Sequence, residues 1–297
     1  MRLISIGEIL WDVIGGQEHL GGALLNFSAH AGRLGHEASL VSAVGADLRG
    51  DRALEAMSAL GLSTDFVQRS DEWPTGIVTV TVAGDGQPEF EIQRPAAYDS
   101  IHLDAAALKR LATRNADWIC YGTLLPVYPR GRTALFDAMD AIPQARRFYD
   151  VNLRPKSFTA ELVQDLMRRA TVAKLNEDEV RSIKEMFQGS YRSLEAFCRD
   201  HAERLGWEAV CVTRGELGCA ILARDQYAEV PGYRVQVLDT VGAGDAFAAA
   251  FLHGLDLGWP ADQIGDFANR LGALVASRRG GAVPWSLDQV QALSRSA

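Results

Sequence analysis

Midway through its last third the chain passes from the alternating residues 233–238 into Asp239-Thr240-Val241-Gly242-Ala243-Gly244-Asp245-Ala246-Phe247 and then the small apolar tract Ala248 to Leu252. This pattern predicts a strand over 233–238, a glycine-bracketed turn, and a helix ending at His253-Gly254. The junction narrows the possible folds because it sets a helix start against a strand end. A helix opening on Gly-Ala-Gly turns bare N–H groups and its positive dipole end outward, with no large side chain to exclude an anion. Gly242, Ala243 and Gly244 are therefore candidates for a phosphate seat. Asp245, one turn in, would repel that anion and reads better as a general base. Glycines at a helix start also serve tight packing, and Asp in a first turn is ordinary capping. No Gly-Lys-Ser/Thr is present, which excludes a Walker P-loop, and Phe247 stands where a dinucleotide fingerprint needs its third glycine.

Elsewhere strand and helix patterns alternate. Residues 3–6 read as a buried strand, followed by a glycine-bounded extended piece containing Glu8 and Asp12. Asp12 suits either an edge-strand cap or a carboxylate that binds ligand hydroxyls. Gly21-Gly22 opens a second helix, with Leu24, Phe27, Ala31 and Leu34 on one face and Gly35 as the stop. Asn26 projects near that helix mouth, and His30 reads as a packing or surface histidine. A strand over 38–43, a helix over 49–60 and a short strand at 66–67 favour a parallel sheet. Residues 75–83 and 88–92 alternate across Gly84-Asp85-Gly86, giving an antiparallel hairpin that is a candidate lid or a plain edge hairpin. The alternation resumes with helices over 105–112, 132–141 and 160–170 and strands over 118–121, 147–150 and 171–175. Asn152 and Arg154 follow one strand end, where open α/β sheets place ligands. Asn176-Glu177-Asp178-Glu179 follows the next, as helix capping or as an oxygen-rich mouth suited to hydrated magnesium. Thr213, Gly215 and Gly218 mark a turn that lets backbone approach a nucleotide.

Composition sets only outer limits. With 297 residues, 47% hydrophobic and 23% charged, the chain suits an ordinary globular fold, and its net charge of -8 argues against a nucleic-acid partner. Cys120, Cys198, Cys211 and Cys219 show no CxxC spacing and read as reduced, buried thiols of a cytoplasmic protein. The first residues are too short and too soon acidic for a signal peptide, and no stretch approaches a membrane span. The expectation is one domain over 1–297. Its fold is a doubly wound, mostly parallel α/β sheet flanked by helices, with a small β lid built from about residues 9–19 and 72–98, through which a homodimer would form.

Taken together, Gly21-Gly22-Ala23 to Gly35 and Asp239 to Phe247 resemble the ribokinase-like (PfkB-type) carbohydrate kinases over essentially the whole chain. The resemblance implies ATP and Mg2+ as cofactors, Asp245 as catalytic base and Gly242, Ala243 and Gly244 as anion hole. It implies Asn176 and Glu179 near magnesium, and Thr213, Gly215, Gly218 and Gly244 at the nucleotide. Asp12, Gly21, Gly22, Asn26, Arg94, Asn152 and Arg154 would meet the sugar, and Asp239 with the backbone of Val241 a monovalent cation (K+). Gly7-Glu8 with Asp12, and Asp150 to Pro155, look most like the fructokinase branch, which implies phosphorylation of fructose to fructose 6-phosphate. Tyr98 departs from that branch, which tends to carry a small residue before the aspartate. Ketodeoxygluconate kinase and ribokinase or nucleoside kinase activities stay open, as does a non-catalytic sugar or nucleotide sensor.

Overall fold

Apolar runs of four or five residues, too short for helices, become the inner strands of a sheet. The computed structural model describes residues 1–14, 16–82, 88–154 and 157–295. Its strands are β1 (Arg2–Ile6), β2 (Leu10–Ile14), β3 (Gln17–Gly21), β4 (Glu37–Gly45), β5 (Val67–Ser70), β6 (Gly76–Val82), β7 (Pro88–Ile92), β8 (Trp118–Tyr121), β9 (Arg146–Asp150), β10 (Val172–Asn176), β11 (Ala209–Thr213), β12 (Cys219–Ala223) and β13 (Gln226–Val230). The helices are α1 (Ala23–Arg33), α2 (Leu48–Ala59), α3 (Ala105–Ala112), α4 (Pro129–Ala141), α5 (Ala160–Arg169), α6 (Glu177–Met186), α7 (Leu194–Leu205), α8 (Ala243–Asp256), α9 (Ala261–Ala276) and α10 (Leu287–Ala292).

Nine strands form the main sheet in the order β13-β12-β11-β10-β9-β8-β1-β4-β5. From β11 to β5 every pairing is parallel, and β12 and β13 add an antiparallel edge. Strands covered on both faces need near-continuous apolar runs, as β8 shows with four buried residues in a row. One face packs against α1, α2, α8 and α9, where Phe148 of β9 stacks on Phe27 and tilts against Phe251. The opposite face packs against α3 to α7, with Tyr121 stacked on Tyr149 at 5.0 Å. Helices on both faces of a mostly parallel sheet match the expected α/β class.

The second sheet is small, ordered β3-β2-β6-β7, and stands where the lid was expected. Its expected Gly84-Asp85-Gly86 turn lies outside the described residues. The four cysteines are free and buried. Among the described residues no helix is long and apolar enough to cross a membrane.

Two expectations need correction. Residues 233–238 alternate like a strand but form none. The sheet already ends at β13, and the Leu238 and Asp239 N–H groups donate instead to the Ala276 carbonyl at the end of α9. The helix α8 also runs past Gly254 to Asp256. A side chain at Gly254 would press on Trp259 and Ile264, so this glycine permits helix packing, and the left-handed Gly258 follows the stop. The strand β3 and helices α7 and α10 were not anticipated.

Phe148 joins the sheet to both helices that open at the ligand edge. Phe148→Ala is expected to cost about 3–5 kcal/mol of stability, measured by urea denaturation; a loss below about 1 kcal/mol would contradict this packing role.

Candidate active site

Two helix starts converge at the carboxyl ends of the parallel strands. Gly22, at φ 119, precedes α1, and a side chain there would meet the Glu8 carbonyl at 2.3 Å. Gly242, at φ 77, precedes α8, and a side chain there would meet the Gly281 carbonyl at 2.2 Å. Both positions need glycine for backbone conformation and for close approach. Between them Asn26 Nδ2 donates to Asp245 Oδ2 at 2.9 Å. The Asp245 carboxyl is walled closely by protein, and this burial raises it to about 7 despite the Asn26 hydrogen bond. Asn26 is 2% exposed, and its buried Oδ1 has no hydrogen-bond partner among the described residues.

Behind this pair lies a support that the sequence did not reveal. Trp285 Nε1 donates to His30 Nδ1 at 2.9 Å, which leaves His30 Nε2 to donate to the Gly281 carbonyl at 2.8 Å. Burial lowers His30 to about 4, so the ring stays neutral in this relay. His30 is thus a packing histidine that presses Gly281 against Gly242 and Asn26.

A cavity of about 360 Å³ opens over the two helix starts. Asp12, Gly22, Asn26, Asn152 and Arg154 line one part, together with Glu8, whose Oε1 accepts from the Ala23 N–H. Burial raises the Asp12 carboxyl to about 6, against the pull of Arg154. The Arg154 carbonyl accepts from the Ser157 N–H, and its guanidinium has no hydrogen bond or ion pair among the described residues. Gly21 lies beneath this part, where a side chain would strike Asp12. Asn176, Glu179, Thr213, Val241, Gly242, Gly244 and Asp245 line the other part.

Several expected residues stand elsewhere. Arg94 does not line the cavity. Its guanidinium binds both oxygens of Asp99 and the Leu124 carbonyl and lies over the Tyr98 and Tyr128 rings, so it ties the lid base instead of facing a ligand. Gly215 and Gly218 also lie outside it. Gly218, at φ 96, packs against the Val230 carbonyl. Ala243 contributes helix backbone and does not line the cavity. The Asp239 carboxylate accepts from the Val241 and Gly280 N–H groups, which staples the turn to the chain after α9.

Of the two readings of Asn176 to Glu179, the structure shows the capping box. Asn176 Oδ1 accepts from the Glu179 N–H, and Glu179 Oε2 accepts from the Asn176 N–H. Glu179 Oε1 accepts from the Leu153 N–H, fixing the turn after Asn152. Burial raises Glu179 to about 7. No group of three His, Cys, Asp or Glu side chains gathers for a metal among the described residues. Beside the box, Lys174 lines the cavity and binds Asp150, a residue missed because one lysine in the apolar run of β10 carries no motif.

The model of the pfkB family carbohydrate kinases matches residues 7–287. The chain belongs to this family. As a sugar kinase it is similar to a putative sugar kinase of Pyrococcus horikoshii, 29% identical and covering 94% of this chain and 91% of that protein. A fructokinase of Escherichia coli is also 29% identical, covering 88% of this chain and 86% of its own length. The structure of a fructokinase with bound ATP from Xylella fastidiosa superposes with a TM-score of 0.84 at 22% identity, over 98% of this chain and 97% of that one.

Because both Glu179 oxygens accept backbone N–H groups, Glu179→Gln turns one N–H against an amide donor. The variant is expected to lose about 1–3 kcal/mol, checked by thermal denaturation; unchanged stability would mean that the box does not hold the turn.

Proposed function

We propose that this sugar kinase transfers the γ-phosphoryl group of ATP to the primary hydroxyl of fructose, giving fructose 6-phosphate, with Asp245 as base. The observation that carries this is the placement of Asp245: a carboxylate raised toward neutral pH, oriented by Asn26, on the first turn of a helix whose amides face the cavity. The similarity to proteins named fructokinase supports the choice of sugar.

The sugar lies against Asp12, Gly22, Asn26 and Asn152. ATP lies along Thr213 with its γ-phosphate over Gly242 to Gly244. Asp245 takes the hydroxyl proton as the oxygen attacks in line, and the helix amides stabilise the charge on the phosphoryl oxygens. The small sheet over the sugar side excludes water, the competing nucleophile. Asn176 and Glu179 fit magnesium through water, since their oxygens are engaged in the capping box, and the ion when bound would neutralise phosphate charge. A monovalent cation would sit by the Val241 backbone at the turn that Asp239 staples.

One observation favours a second substrate. The Arg154 guanidinium enters the cavity with no hydrogen bond or ion pair among the described residues, so a sugar acid such as ketodeoxygluconate would find a carboxylate clamp there. ADP release with fructose, ribose and ketodeoxygluconate decides between them; turnover confined to ketodeoxygluconate would replace fructose, and turnover with none would end the assignment.

Asp245→Asn is expected to lower turnover by about 10²–10⁴-fold while sugar binding persists, and near-normal turnover would remove Asp245 as base. The base works deprotonated, so turnover is expected to rise with pH through a limb near 7 and to fall below it. Asn26→Ala removes the hydrogen bond that favours the carboxylate, so its limb is expected at higher pH. A profile with the wild-type limb would show that Asn26 does not tune the base.

A further inference from the structure

Lys174 is explained by neither the sugar-side contacts nor the capping of α6. It stands in register opposite Asp150 across β10 and β9, and both side chains leave the sheet on the face toward α1 and α8, like Val172 and Phe148. Its Nζ lies 3.0 and 3.1 Å from the two Asp150 oxygens. The residues are 7% and 5% exposed. Burial alone would lower the ammonium, yet Asp150 and Glu179 hold it above its ordinary value and cationic. Stability gives no reason for such a pair, because desolvation of two charges commonly offsets their attraction and apolar residues often serve as well.

Gly244 supplies the second observation. Its φ is not in the positive range, so its backbone does not require glycine. A Cβ there would meet only the Lys174 ammonium, at the ordinary distance of 3.8 Å, so packing does not require glycine either. Yet glycine within a helix is less favourable than alanine. What its missing side chain does is leave the lysine uncovered beneath the helix amides.

We propose that Lys174, held by Asp150, reaches the transferring phosphoryl group through the gap at Gly244 and is a fixed cation of the anion hole. The proposal rests on the cavity being a phosphoryl-transfer site. In the step, the bond from the γ-phosphorus to the β–γ bridging oxygen breaks and the bond to the sugar oxygen forms. The hydroxyl proton passes to Asp245, the bridging electrons leave with ADP, and Lys174 keeps its protons. Its charge balances the added oxyanion and also favours the ionised Asp245, for which it is one of the neighbouring cations.

The test uses Lys174→Met, Lys174→Arg and the double variant Asp150→Asn with Lys174→Met, in which no carboxylate is left buried and unpaired. Turnover in Lys174→Met is expected to fall about 10²–10³-fold, with sugar KM within about threefold, a base limb moved to higher pH, and partial recovery in Lys174→Arg. By calorimetry without sugar, ATP is expected to bind about tenfold more weakly and ADP within about twofold, as the loss of a charge-assisted contact to the γ-phosphate requires. If Lys174→Met does not fold, the double variant carries the same readouts. Turnover within about threefold of wild type, or an equal loss for ATP and ADP, would overturn the proposal. A wild-type chain inactive with every sugar would instead defeat the assigned reaction, while the ATP and ADP titrations would still read Lys174.

Discussion

The hydrogen bond from Asn26 to Asp245 joins residues 219 positions apart and fixes the start of α1 against the start of α8. Each helix turns first-turn N–H groups and a positive dipole end toward its start, where Glu8 takes the Ala23 N–H and the Thr240 carbonyl the Ala243 N–H. Bringing two such ends together makes one pocket, and the carboxylate between them is held by a neutral amide. The rest of the fold secures this approach. Gly242 and Gly281 touch backbone to backbone, His30 and Trp285 press from behind, and Asp239 staples the turn to Gly280. Phe27, Phe148 and Phe251 lock the two helices to the sheet below.

Charge is concentrated where the sheet meets these helix ends. Asp150, Lys174 and Glu179 are all buried at the ends of β9 and β10 or the first turn of α6, beside Asp245. Glu179 is held by backbone N–H groups and Lys174 by a carboxylate, so each has a fixed position before any ligand arrives. Preorganised groups of this kind stabilise developing charge without the reorganisation that water would require. The family match explains why such a pocket stands over helix starts, since a carbohydrate kinase must hold both a phosphoryl group and a hydroxyl. Arg94 is paired with Asp99, whereas the Arg154 guanidinium lines the cavity with no ion pair among the described residues, so the two arginines are not equivalent.

Local pattern was a good guide wherever it determines structure directly. Apolar runs gave the inner strands, helical spacing gave α1, and glycine at Gly22 and Gly242 marked turns that only glycine can make. It misled where a partner strand or ion decides the outcome. Residues 233–238 alternate correctly but pair with no strand, and the Leu238 and Asp239 N–H groups bond the Ala276 carbonyl instead. Arg94 looked available until Asp99, five residues on, took its guanidinium. Asn176 and Glu179 suited either capping or magnesium, and the structure shows the capping, with each side chain accepting from the other's backbone N–H.

By itself the sequence determined the α/β alternation, the two glycine-opened helices and the aspartate in the first turn of the second, because each follows from residue type and short spacing. Only the tertiary structure decided that Asn26 orients Asp245, that His30 supports Gly281, and that Lys174 and Asp150 lie beneath Gly244. Those contacts join strands and helices far apart in the chain, and no local preference records them; they exist because the sheet brings its strand ends to one edge.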